Sequence, residues 1–200
     1  MANGRVITGF SKPYVATYAV SGSTVSYTGV TPLARGVSVQ VSPTTGEDQN
    51  FYADNVLAES AGGIFTGGEV TLTVDGLKDA ARKLIMGTTT QKTVTPSGGS
   101  TTVKLDVYDD DQVVPYVGIG FVVRYQESGT VTYVPVVLTK CSFNQDGLDA
   151  STQGETVEFQ TQELTAVIMR DDSAKHAWKM IGEAQDTEAK AVAVLQAVLA

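Results

Sequence analysis

Apolar residues recur at every second position in one short window after another, and this alternation limits the chain more than any other feature. Val37, Val39 and Val41 alternate with Ser38 and Gln40, and Val70, Leu72 and Val74 with Glu69, Thr71 and Thr73. Val103, Leu105 and Val107 alternate with Thr102, Lys104 and Asp106, and Val157 and Phe159 with Thr156, Glu158 and Gln160. In the longest window Val117, Ile119, Phe121, Val123 and Tyr125 share one face, while Gly118, Gly120 and Arg124 share the other. A period of two turns one side of an extended chain to a core and the other to water, as in a half-buried strand. The 28 valines and 25 threonines suit a pleated surface better than a helix. Gln126-Glu127-Ser128-Gly129 reads as a hairpin loop joining 117–125 to 130–139, and Asn144-Gln145-Asp146-Gly147 as another turn. About nine strands at such spacing predict a mainly β chain, an antiparallel sandwich or barrel.

Two segments break the pattern. Leu77, Ala80, Ala81, Leu84 and Ile85 form one apolar helical stripe, which predicts a flanking helix over about 76–86. Asp75 is placed to cap its start and Gly87 to end it. A second helix is expected over about 183–200, with Glu183, Asp186 and Glu188 in its early turns and Val192, Leu195 and Leu199 as a narrow stripe. That stripe must dock on the chain's own core or on a neighbouring chain. Segments 42–50, 60–68 and 88–102, rich in Gly, Pro, Ser and Thr, read as long loops. Residues 1–200 suffice for one such domain, and a chain of this size buries roughly 70% of its unfolded surface without disulfide or metal staples.

Charge and composition exclude several functions. The formal net charge of −8 argues against binding nucleic acid by phosphate neutralisation, and no basic cluster stands out along the chain. The apolar run Val113 to Val123 is too short to cross a membrane and is interrupted by Pro115, Gly118 and Gly120. The first residues, Met1 to Arg5, lack the apolar stretch of a secretory signal, so cleaved export is not expected.

Catalytic equipment is scarce. The single histidine, His176, sits beside Trp178 and reads as a surface residue near a tail anchor. Cys141 follows Lys140, which could depress its pKa, but also follows an apolar strand, so a structural thiol is expected. Gly118 and Gly120 lie within a strand and open no helix, which fails the context a dinucleotide site needs. Asp106, Asp109, Asp110 and Asp111 offer oxygen ligands for a cation but lack the glycine and distal glutamate of a calcium loop, so a solvated turn is expected. Glu47, Asp48, Asp54 and Glu59 have no nearby base to make an acid–base site. No catalytic residue, cofactor or metal is predicted.

Two stretches carry a resemblance. Arg5-Val6-Ile7-Thr8-Gly9-Phe10-Ser11-Lys12-Pro13-Tyr14-Val15-Ala16 resembles the start of major tail proteins of long, non-contractile-tailed bacteriophages. Gln49-Asn50-Phe51-Tyr52-Ala53-Asp54-Asn55-Val56, followed by Glu59, is similar to a tyrosine-alanine-aspartate stretch of the same family. The order of a Glu69–Val74 strand, a short helix and long valine-rich strands also fits, over roughly residues 1–170. The resemblance implies a virion tail tube protein, made in the host cytoplasm, with a β-sandwich and one flanking helix. It implies hexameric rings stacked into a tube through which DNA passes without specific binding. Tape-measure, terminator and distal tail proteins are the implied partners. Within the chain, Phe51, Tyr52, Asp54, Ile64 and Phe65 are the candidate inter-subunit contacts. Alternatives are a non-catalytic adhesin-like or carbohydrate-binding module, and a tube subunit of a contractile tail or phage-tail-like bacteriocin.

Overall fold

The computed structural model describes residues 4–99, 101–145, 147–148, 150–152 and 159–200. Its strands are β1 (Val6–Ser21), β2 (Thr24–Pro32), β3 (Gly36–Thr45), β4 (Gln49–Ala53), β5 (Val56–Ala61), β6 (Phe65–Val74), β7 (Gln91–Val94), β8 (Val103–Asp106), β9 (Val117–Glu127), β10 (Thr130–Phe143), β11 (Gln162–Met169) and β12 (Lys179–Ile181). Helices α1 (Asp79–Met86) and α2 (Glu188–Val198) complete the described elements. One antiparallel sheet runs β2-β1-β9-β10-β11-β6-β3, with β12 also on β10, while β4-β5 and β7-β8 are separate two-stranded pairs. The result is the expected mainly β, antiparallel sandwich with flanking helices.

Alternation explains how the sheet closes over a core. Val15 of β1, Ile119 and Phe121 of β9, and Leu138 of β10 meet Val70 and Leu72 of β6 and Ile168 of β11, with Ile85 and Met86 of α1 in the same cluster. The sheet curls until β3, at one end, meets β1 near the other, where a Cβ on Gly36 would lie 2.2 Å from the Phe10 ring. Among the described residues β2 and β3 each pair on one side only, which leaves each with an unpaired edge there.

β9 is buried on both faces from Val117 to Val122. Its odd positions enter the main core, as the alternation predicts, while its even positions face α2. A Cβ on Gly118 would lie 2.6 Å from Tyr27 and 2.9 Å from Leu199, and one on Gly120 would lie 2.9 Å from Leu199. These glycines form a floor on which α2 seats Ala191, Leu195 and Leu199 beside Ala16, Val122 and Val137. The C-terminal stripe therefore docks on the chain's own sheet. Full burial of each leucine contributes about 1.5–3 kcal/mol.

Several boundaries differ from expectation. α1 starts at Asp79 and not near 76, because Asp75 is engaged elsewhere. Its carboxylate accepts the Arg35 N–H at 2.8 Å and pairs with the same guanidinium. Lys78 takes the cap position with extended backbone and no side-chain hydrogen bond, while Gly87 ends the helix at φ 66° as predicted. α2 starts at Glu188 and not near 183, where Thr187 accepts the Lys190 N–H at 3.4 Å. The preceding residues bond β10 instead: Gly182 N–H to Pro135 O at 2.9 Å, and Tyr133 with Gln185 in both directions. The predicted loops at 42–50, 60–68 and 88–102 contain strand: the end of β3 and start of β4, the end of β5 and start of β6, and β7. Twelve strands result among the described residues where about nine were expected. The 126–129 hairpin tightens to Ser128-Gly129, both left-handed at φ 47° and 85°. The strand expected around Val157, with Thr156 and Glu158, lies outside the described residues, as does Asp146 of the 144–147 turn.

Candidate functional site: a projecting hairpin and a cationic cleft

β3 and β6 do not end where the sheet ends. Their ladder runs from Gly36↔Val74 to Thr45↔Phe65, and Gly46 N–H then bonds Ile64 O at 2.9 Å. Asp48 next accepts the Gly63 N–H at 2.7 Å, and pairing resumes at Gln49↔Ala61 into β4 and β5. β4-β5 is therefore the outer part of one long hairpin, with a joint at 46–48 and 62–64. Glycine is required at that joint, since a Cβ on Gly63 would lie 2.0 Å from the Gly46 carbonyl oxygen. Asp54 and Asn55 form the tip, both left-handed at φ 52° and 64°, as a two-residue hairpin turn needs.

Every residue of β4 and β5 is exposed, including Phe51 at 64%, Tyr52 at 63%, Val56 at 64% and Leu57 at 51%. Tyr52 sits opposite Leu57 and Ala53 opposite Val56 in the ladder. Only the ladder to β3 and β6 supports this two-stranded extension among the described residues, and two strands without further packing are marginally stable in water. Of the five contacts predicted from sequence, Phe51, Tyr52 and Asp54 sit on the projection and Ile64 is exposed at its base. Phe65 is corrected: it is 9% exposed and stacks on Trp178 with ring centroids 4.3 Å apart, inside the chain's own core. One step along the strand turns Ile64 out and Phe65 in. Val56 and Leu57 were missed as contacts, although they follow the tip in the same apolar run.

Sequence reading also missed a cationic cluster. Lys12, Arg35 and Lys78, remote in sequence, line one cleft with Tyr14, Pro32 and Ala34. An adjoining cleft shares Arg35 and Lys78 and adds Asp75. Lys12 stands left-handed at φ 53°, in the β1 irregularity between Ser11 and Tyr14. Arg35 and Asp75 are clamped by side chains and by the Asp75 N–H to Arg35 O bond at 3.1 Å. That guanidinium holds the Asp75 carboxyl below its ordinary value. Lys12 and Lys78 make no ion pair among the described residues. No basic cluster stands out along the chain, and it is folding that gathers these three cations, which the sequence scatters.

Cys141 is fully buried, and desolvation pushes its thiol up, contrary to any activation by Lys140. Lys140 instead pairs with Asp172 at 2.7 Å, and Asp172 accepts the Tyr18 hydroxyl at 2.7 Å. His176 is exposed, with Nδ1 3.2 Å from Asp171 O, in the tail that Trp178 anchors. Asp106 pairs with Lys83 at 3.1 Å, apart from the exposed Asp109, Asp110 and Asp111. Among the described residues no group of three His, Cys, Asp or Glu side chains is placed to hold a metal, and no helix is long and apolar enough to cross a membrane. No protein-family model and no curated protein matches the chain.

Proposed function

We propose that the chain is a non-enzymatic structural protein of a phage virion, a tail tube subunit that assembles into stacked hexameric rings and forms a conduit for DNA. The carrying observation is the β4-β5 hairpin, which presents Phe51, Tyr52, Val56 and Leu57 to water beyond the sandwich. Exposed apolar surface on so slender a projection marks a contact with another molecule. The edges of β2 and β3 that are open among the described residues supply the second requirement, since edge pairing between subunits of a closing heterologous interface makes a ring. An overall charge of −8 suits a wall past which a polyanion slides without sticking. Tape-measure, terminator and distal tail proteins are the partners this role requires.

Negative-stain microscopy and sedimentation of the purified protein at rising concentration test the reading. Rings or tubes are expected. A persistent monomer that binds glycans would replace it with a carbohydrate-binding module.

A further inference from the structure

We infer that the cleft of Lys12, Arg35 and Lys78 is the receptor for the acidic hairpin tip of a second copy of this chain. The inference rests on the self-assembly reading and names the surface that receives the projection. Charge selects the occupant. Residues 46–62 carry Glu47, Asp48, Asp54 and Glu59 with no Lys or Arg. The clefts carry three cations against one acid, Asp75, and Arg35 already consumes that acid. Two lysines remain to be matched. The wall is also partly apolar, through Tyr14, Pro32 and Ala34, as a hairpin with Phe51 and Val56 beside Asp54 requires.

Topology makes the contact intermolecular. Arg35 and Asp75 close the Gly36↔Val74 end of the β3-β6 ladder, and the hairpin leaves from the Thr45↔Phe65 end. The ten residues of β3 separate these ends by about 30 Å. The hairpin extends further away, so a chain cannot place its own tip in its own cleft. A contact between two different patches is head-to-tail and repeats from copy to copy. Nucleic acid fits less well, since three cations on a chain of net charge −8 neutralise too few phosphates for tight binding.

Two measurements on the full chain decide. Zero-length carbodiimide cross-linking of an equal mixture of ¹⁵N-labelled and unlabelled protein should join Asp54 or Glu59 of one copy to Lys12 or Lys78 of another. Cross-links from these lysines to Asp109, Asp110 or Asp111 instead, or no mixed-isotope link from the hairpin, overturn the inference. Lys12→Glu with Lys78→Glu should raise the concentration needed for assembly about tenfold, because like charges then oppose across the contact. Adding Asp54→Lys and Glu59→Lys should restore it. Lys78→Glu puts an acid at a helix start, where the dipole favours it, and thermal melting checks that each variant is folded. An unchanged threshold, or no restoration, overturns the receptor while self-assembly stands. Wild-type protein that stays monomeric at every concentration overturns both. Duplex DNA binding lost in the Lys12→Glu, Lys78→Glu variant makes the cleft a phosphate site and also overturns it.

Discussion

Gly118 and Gly120 show how much a missing side chain can decide. Their absent Cβ atoms let α2 lie against β9, with Tyr27 fixed beside them by a 2.9 Å hydroxyl bond to the Thr139 carbonyl. Gly118→Ala places a methyl 2.6 Å from that ring, and urea unfolding should show a loss of about 1–3 kcal/mol from overpacking. Gly62→Ala, where an added Cβ meets nothing within 4 Å, should stay within about 0.5 kcal/mol of wild type. Equal losses at both sites would refute the floor. The sequence places this Gly-x-Gly on a strand and on the face opposite Ile119. Its purpose was hidden, because the helix that needs the space lies about seventy residues downstream.

At the scale of elements, the long hairpin separates two kinds of exposed-looking apolar residue. Phe51→Ser with Leu57→Ser should melt within a few degrees of wild type and fail to assemble, since both side chains face water in the isolated subunit. Phe65→Ala should instead cost about 3–5 kcal/mol, as a buried aromatic leaves a cavity against Trp178. Comparable melting losses in the two variants would mean that the hairpin belongs to the monomer's own fold. Strands with clean alternation were legible: β3, β6, β8, β9 and β10 fall where Val, Leu and Ile recur. β4 was legible in part, since Phe51-Tyr52-Ala53-Asp54 reads as strand-like, whereas β5 and β7 were not, because Gly, Pro and Thr nearby read as loop and their pairing partners supply the order. The helix starts were misplaced for a related reason. Arg35 draws Asp75 away from its capping role across forty residues, and β10 holds residues 182–185 in an extended conformation.

For the whole molecule, buried tyrosines and paired carboxylates set the pH range of stability. Burial is the chief cause that pushes Tyr18 up to about 12, and it pushes Tyr27 higher still. A raised folded-state value means stability that is complete below the ordinary tyrosine range near 10 and lost as pH climbs through the folded value. Hydrogen bonds lower Asp75, Asp106, Asp172 and Asp186, chiefly from Arg35, Gln91, Lys140 and Lys190 respectively. Their contribution is present above the ordinary carboxylate value of about 3.9 and lost as pH falls through the lower folded values. The melting midpoint should therefore be flat from about pH 5 to 9 and fall on both sides, with a shallower alkaline fall in Tyr18→Phe. A midpoint that rises between pH 10 and 12 would contradict it. The sandwich itself was legible, since alternation and turns dictate it. The cleft was not, because Lys12, Arg35 and Lys78 are isolated in sequence and only the closing of the sheet unites them. One consequence follows from the hairpin and cleft lying at opposite ends of the β3-β6 ladder. A stack joined through them grows with unlike termini, one offering acidic fingers and the other vacant basic sockets, so a protein that plugs one terminus cannot plug the other, and elongation has a built-in direction.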